Sequence, residues 1–230
     1  MRSTTKLSAD ERHAAIIKAV RRVFSEKGFH ATTTRELAKA AGVSEALLFK
    51  HFPNKEALYS AMWLSCYQEQ DRGRVERLRA LEPSASALIV IVHFLVSRNV
   101  APPGSGDDEQ TIQKRLLVRS LAEDGEFARL YLRRIAQDWI PKFEECIQAA
   151  VATDEAVEGP VPSHLAAWFA QHLAAMIKFH LLPAQPVVDY GVPREQLVEP
   201  VVWFILRGMG VKDETIKRYY NPQALALLMV

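Results

Sequence analysis

Basic side chains are concentrated at the start of this 230-residue sequence. The first 60 residues contain eleven Lys and Arg against six Asp and Glu, whereas the other 170 contain eighteen against twenty-one. A positive segment on a mildly acidic remainder attracts polyanions, which is typical of a module that binds nucleic acid. The alternative is an ordinary solvated helix face, and charge by itself leaves both interpretations open.

Catalytic and metal-binding patterns are missing from the sequence. It has no GxSxG, HExxH, phosphate-loop or dinucleotide-binding pattern. His164, His172 and His180 are eight residues apart, so each turns about 80° from the last on a helix and they cannot form one metal site. Cys66 and Cys146 have no CxxC spacing and are predicted to be reduced. We therefore expect neither an enzyme nor a metal or cofactor.

The elements that position the basic segment are helices, because almost every apolar run has the helical period. The pairs Ser8/Glu11 and Thr33/Glu36 each form the pattern of a capping box, which predicts helices that begin at residues 8 and 33. Gly42 is expected to supply a left-handed turn before a third helix at 44–52. The sequence thus predicts an all-α protein.

Three helices with a glycine-containing turn before the third describe a helix-turn-helix, whose last helix enters the DNA major groove. Leu48 and Phe52 lie four residues apart and would anchor this third helix. The helical wheel then turns four residues toward the groove: Ala46, Leu47, Phe49 and Lys50. Lys50 is the strongest candidate, since Ala46 and Asn54 at i−4 and i+4 offer no acid to pair with it.

Residues at two helix starts are candidates for binding the DNA backbone. Thr33 and Thr34 begin the second helix, and Asn54 and Lys55 begin the fourth. Exposed amide groups at such positions bind phosphate. Phosphate contacts would set the register, while outward residues of the third helix would read base edges.

Two segments resemble the DNA-binding head of the tetracycline-repressor (TetR) family: residues 32–44, TTTRELAKAAGVS, and residues 48–58, LFKHFPNKEAL. The resemblance extends from Ile16 to Leu58. It implies a DNA-binding domain at 1–58 and a helical effector-binding and dimerisation domain at 59–230. The residues that would bind phosphates by this resemblance are Thr33, Phe49, His51 and Lys55. The residues that would lie at or near the bases are Glu45, Ala46, Leu47 and Lys50.

The sequence departs from the family pattern at two places. Phe49 stands where tyrosine is usual and lacks its hydroxyl, and Ala46-Leu47 replaces a small or hydroxylated pair. Contact there would be apolar, with thymine methyl groups as candidates. Two alternatives stay open: Phe49 packs against helix one, or His51 is a structural histidine.

Further helices are predicted at 84–99, 107–123, 126–152, 162–182, 194–209 and 213–220. Two of them, 162–182 and 194–209, are apolar around more of their circumference than a surface helix, so we expect a dimer interface there. The resemblance likewise implies that the last two long helices pair with those of a second copy. The predicted interface residues are Leu165, Phe169, His172, Leu173, Met176, Val202, Trp203 and Leu206. A monomeric core is the alternative.

An effector pocket is expected between the central helices. Its predicted residues are Met62, Trp63, Cys66, His93, Phe94, Arg119, Trp139, Phe143 and Trp168. Aromatic and Met side chains at helical spacing are also ordinary core residues, so each has that alternative. His93 lies within an apolar run and needs a polar partner, either a ligand or a neighbouring group.

The sequence predicts a cytoplasmic, homodimeric repressor that binds a palindromic operator in double-stranded DNA. A small, largely apolar effector would release it. No apolar stretch approaches the roughly 20 residues of a membrane helix, and the N-terminus lacks a secretory signal. The alternatives are a regulator that responds to a protein partner, and a helical ligand-binding or scaffold protein without DNA binding.

Overall fold

The computed structural model describes residues 8–69, 72–100, 109–123 and 125–227. Most of these residues are helical, and their one β-type contact is an isolated bridge between Ala156 and Val211. The predicted all-α class is confirmed. The helices are α1 (Ala9–Ala31), α2 (Thr34–Ala40), α3 (Glu45–His51), α4 (Lys55–Glu69), α5 (Arg72–Arg79), α6 (Ala85–Val100), α7 (Glu109–Ala122), α8 (Glu126–Asp138), α9 (Ile140–Ala152), α10 (Ser163–His180), α11 (Val198–Gly208), α12 (Asp213–Tyr219) and α13 (Pro222–Leu227).

Both predicted capping boxes are present. The backbone N–H of Glu11 donates to Ser8 Oγ at 3.2 Å, and Ser8 N–H donates to Glu11 Oε2 at 2.8 Å. Thr33 and Glu36 make the same exchange at the start of α2. Each box satisfies amide groups that a helix start would leave without partners, which explains why α1 and α2 begin where the sequence predicts.

The backbone divides into two compact units. Unit one comprises residues 1–71 and 104–132, and unit two comprises residues 72–103 and 133–230. The predicted boundary at residue 58 follows the DNA-binding pattern, whereas unit one also contains α4, α7 and the start of α8. It contains them because α4 and α7 pack on α1. Long-range packing of this kind leaves no periodic signal in the sequence.

Gly28 marks the end of the regular part of α1. Its φ of 79° and ψ of 175° lie in a region that is almost exclusive to glycine. The site is also crowded, since a Cβ there would lie 2.5 Å from Glu123 Oε2 and 2.6 Å from Arg119 Nε. The regular part of α1 therefore ends at this glycine because of its backbone conformation and the close approach of α7.

Two predictions for unit two are wrong in detail. The helix predicted at 126–152 is broken at Trp139, because Pro141 lacks an N–H and its ring would collide with the carbonyl four residues earlier. The last helix that the sequence predicts ends at residue 220, yet α13 follows it, and Asn221 caps the first turn of α13 by accepting from Ala224 N–H at 3.0 Å. Proline is compatible with this first helical position.

The core of unit two surrounds α6, which is buried on nearly all sides. His93 is the polar residue in this helix that needed a partner. Its Nδ1 lies 3.2 Å from Tyr220 Oη and its Nε2 lies 3.3 Å from Ser97 Oγ. Burial lowers the pKa of His93 and raises that of Tyr220. The partner is thus a neighbouring side chain. None of the described helices is long and apolar enough to cross a membrane.

The lowered pKa of His93 predicts a loss of stability in mild acid. Unfolding restores an ordinary pKa of about 6.5, so the unfolded chain binds the proton more readily. The contribution of His93 to the free energy of unfolding is therefore complete above about pH 6.5 and is lost as the pH falls below that value. We expect Tm to fall less between about pH 7.5 and 5.5 in His93→Gln than in the unchanged protein. His164→Gln, at an exposed position, is the control. An equal fall in all three proteins would contradict the assignment.

Gly28→Ala should destabilise unit one by about 1–3 kcal/mol, mainly because alanine disfavours this backbone conformation. Urea unfolding measures the change. Gly159→Ala is the matched control, since nothing lies within 4 Å of a Cβ at Gly159. Its expected effect is within about 0.5 kcal/mol. Equal stability of the two variants would refute the role given to Gly28.

Candidate nucleic-acid interface

The turn between α2 and α3 has the geometry that the sequence predicts. Gly42 has a φ of +65°, and its N–H donates to the carbonyl of Lys39 at 3.1 Å. Val43 N–H donates to the carbonyl of Ala38 at 3.0 Å. These bonds satisfy the last carbonyl groups of α2 and reverse the chain within a few residues. The start of α3 is therefore fixed relative to α2.

The helix α3 is anchored on one side and open on the other. Leu48 and Phe52 are 1% and 3% exposed, which confirms their predicted anchoring role. Ser44 Oγ accepts from Leu47 N–H at 3.1 Å and caps the helix. The side chains that this leaves exposed are those of Glu45, Ala46, Phe49 and Lys50, while Leu47 is half-buried. Phe49 is 42% exposed, so a large part of its ring is accessible from solvent.

The threonine hydroxyls at the start of α2 are occupied by acidic side chains. Thr33 Oγ donates to Glu36 Oε2 and Thr34 Oγ donates to Glu45 Oε2, both at 2.9 Å. Glu45, expected near the bases, therefore also links α3 to α2. Glu36 is paired with Lys27, and the hydrogen bonds from Lys27 and Thr33 lower its pKa to about 2. Glu36 is consequently charged at any physiological pH.

Lys55 holds the start of α4 against the end of α1. Its Nζ donates to the carbonyl of Thr32 at 2.8 Å and lies 4.3 Å from the centre of the Phe29 ring. A role in binding phosphate would have to use its remaining N–H groups. His51 is half-buried, and its ring centre lies 6.3 Å from that of His13. The sequence did not reveal that Lys55 is also a structural residue.

Arg119, predicted as an effector residue, contacts α1. It donates through Nη1 to the carbonyl of Glu26 and through Nε to Glu123 Oε1, the latter at 2.7 Å. This side chain holds α7 beside the end of α1. Arg119 therefore attaches α7 to the head, and its Nη1 and Nε atoms already donate to groups of the protein.

The other predicted effector residues are not gathered around one cavity. Met62 is fully buried in unit one, and the side chains of Trp63 and Cys66 lie outside the described residues. The rest belong to unit two: His93 and Phe143 are core residues, Trp139 stacks on Phe94, and the Trp168 ring lies 5.5 Å from that of His172. Phe94 does line a cavity of about 340 Å³. The presence of an aromatic residue in a core helix did not indicate whether that residue faces a cavity or packs in the core.

The predicted dimer interface is part surface and part core. The exposed residues on α10 follow one stripe, with Leu173 half-buried beside them: Leu165, Phe169, His172 and Met176. On α11 the prediction is wrong for Val202 and Leu206, which are fully buried inside the protomer because they pack in its own core. Trp203 is half-buried.

Phe204 is an exposed apolar residue of α11 that the sequence pattern did not indicate. Its side chain is 70% exposed. Since residues 201–206 of α11 are all apolar, this run alone did not separate the exposed face from the buried one. The four exposed apolar side chains of α10 and α11 are named here the apolar surface: Leu165, Phe169, Met176 and Phe204.

Comparisons with known proteins agree with this geometry. Residues 16–62 match the family model described as bacterial regulatory proteins, tetR family. The chain is 35% identical over 123 residues to the HTH-type transcriptional regulator UidR of Escherichia coli K12, covering 54% of this chain and 57% of that protein. It is 31% identical over 136 residues to the HTH-type transcriptional repressor Rv1474c of Mycobacterium tuberculosis, covering 57% and 64%. The matched region thus spans less than two thirds of these relatives.

A solved structure extends the likeness beyond the matched region. AibR, crystallised with isovaleryl coenzyme A and operator DNA, superimposes with a TM-score of 0.55 and 22% identity. The match covers 84% of this chain and 97% of that one. Because the sequence identity is low, this match supports a shared fold and nothing beyond it. The capped helix-turn-helix at residues 16–62 therefore matches the head of the tetR family of bacterial regulatory proteins, and the chain shares its fold with AibR.

Proposed function

We propose that this protein is a homodimeric transcriptional repressor, which binds a palindromic operator and is released from it by a small molecule. The observation that supports DNA binding most directly is the outward face of α3. Lys50 and Phe49 are exposed there, while Leu48 and Phe52 hold the opposite face in the core. A protein that binds operator DNA would act in the cytoplasm, and the activity proposed here is binding rather than catalysis.

Two copies are needed because a seven-residue helix can contact only a few base pairs. A two-fold axis would place two α3 helices in successive major grooves, about 34–36 Å apart. The apolar surface is suited to this association, since Phe169 and Phe204 expose large rings to water. A monomer would leave this surface uncovered.

Release of DNA requires that the effector bind more tightly to a conformation whose heads no longer fit successive grooves. A 100-fold weakening of DNA binding needs about 2.7 kcal/mol of differential affinity. Within unit one, two contacts would transmit a helix movement to the head. Lys55 joins α4 to α1 through the Thr32 carbonyl, and Arg119 joins α7 to α1 through the Glu26 carbonyl.

Lys50→Ala should remove sequence preference and leave the protein folded and dimeric. Loss of a base contact costs about 1–3 kcal/mol of discrimination, which is about 5–150-fold. The measurement is selection of duplexes from a random library, followed by affinity for the enriched palindrome and for an unrelated duplex. Lys217→Ala, at an exposed position on α12, is the charge-matched control.

Two results would contradict the proposal. If Lys50→Ala selects the same site with the same preference, Lys50 does not read bases. If the unchanged protein, refolded to remove any bound ligand, enriches no sequence and shows no steep salt dependence, it is not a DNA reader. A scaffold or a protein that senses a partner would then be the better interpretation.

Phe204→Glu should separate the dimer. Removing a buried ring costs about 1.5–3 kcal/mol in each copy, so the dimer should weaken by at least about 100-fold. Sedimentation equilibrium measures the change. Val187→Glu places the same charge at a residue that is 71% exposed and lies outside the apolar surface. A dimer of unchanged strength in Phe204→Glu would show that the apolar surface is not the interface.

A further inference from the structure

Unit two contains a cavity of about 340 Å³ at the meeting of α5, α6 and α13. Its apolar lining comes from Leu78 and Leu81, from Val90 and Phe94 of α6, and from Leu225 of α13. The volume lies within the roughly 300–1,000 Å³ of small-molecule sites. The cavity therefore has room for an aliphatic chain or a ring.

Two arginines complete the lining of this cavity. Arg74 is half-buried and Arg77 is exposed, and both lie on α5. Within the described residues the structure gives Arg77 no ion pair. Guanidinium groups bind carboxylates through paired, charge-assisted hydrogen bonds. An apolar cavity beside such groups suits a molecule with an apolar body and an anionic end.

The walls of the cavity are held by polar contacts that do not involve its interior. Arg79 of α5 pairs with Asp138 at 3.3 Å, and Lys142 donates to the carbonyl of Leu81. The hydrogen bond between Tyr220 and His93 holds the chain next to α6 just before α13 begins. A pocket with fixed walls loses less conformational entropy on binding than one that must be ordered.

From this geometry we propose that the cavity binds an amphipathic carboxylate. Its aliphatic or aryl body lies against Val90, Phe94 and Leu225, and its carboxylate lies beside Arg77 and Arg74. A neutral molecule of the same size would fill the apolar volume but offer no anion to the Arg77 guanidinium. That this ligand is the one releasing DNA rests on the proposed function, whereas the binding site itself does not.

The first test compares decanoate with decanol in isothermal titration calorimetry on the full-length protein. We expect decanoate to bind about tenfold or more tightly, because only its charged end can pair with Arg77. Equal affinity for the two, or no binding of decanoate, would overturn the proposal.

Substitutions at Arg77 test the charge. Arg77→Ala should lose the preference for decanoate, and Arg77→Glu should reverse it in favour of decylamine. Arg133→Ala, at an exposed arginine of α8 that does not line the cavity, should bind like the unchanged protein. Retention of the decanoate preference in Arg77→Glu would refute the assignment.

A substitution within the cavity tests its volume. Val90→Trp should weaken decanoate and decanol alike by filling the space, with far-ultraviolet circular dichroism confirming that the helices persist. If this variant does not fold, the Arg77→Glu comparison still decides the proposal. Undiminished binding in a folded Val90→Trp would place the ligand elsewhere.

Measuring operator binding in the presence of decanoate distinguishes a failure of the ligand-site proposal from a failure of the proposed function. Decanoate that binds and dissociates the operator complex supports both. Decanoate that binds without affecting the operator complex leaves the site in place and contradicts the effector role. Failure of decanoate to bind a protein that does select an operator would overturn the site and leave the repressor proposal standing.

Discussion

The burial of Leu48 and Phe52 is the interaction on which the rest of the head depends. A helix of seven residues is far too short to be stable in water, so α3 exists because these two side chains are held in the core. The same burial fixes the rotation of the helix. Lys50 and Phe49 point to solvent as a direct consequence, and any slip of the anchors would change which residues could meet DNA.

The surrounding polar contacts keep this short helix in register. Ser44 caps α3, Glu45 links it to Thr34 of α2, and Lys55 joins α4 to the end of α1. Each contact satisfies a group that would otherwise face water or lie unpaired at a helix end. Residues that resemble DNA contacts in sequence therefore serve two purposes, since they build the head as well as facing outward.

In unit two the distribution of apolar residues underlies both the proposed dimer interface and the proposed ligand site. The helix α6 is surrounded by core, whereas α10 and α11 are buried on one side and expose Phe169 and Phe204 on the other. Near the middle of α6, Val90 and Phe94 line a cavity with arginines beside it. One helical core thus provides a surface suited to association and a cavity suited to an anionic amphiphile.

The sequence by itself determined the class of fold, the helix starts and the outward face of α3. Caps, turn glycines and a four-residue spacing such as Leu48 to Phe52 are local signals, and local signals can be read from neighbouring residues. It also predicted that His93 needs a partner without identifying Tyr220, which lies 127 residues away. Only the tertiary structure decided that α7 packs on α1, that Val202 and Leu206 are core while Phe204 is surface, and that Arg74 and Arg77 line a cavity. An uninterrupted apolar run such as residues 201–206 does not mark its own exposed side, so packing against distant helices decides it.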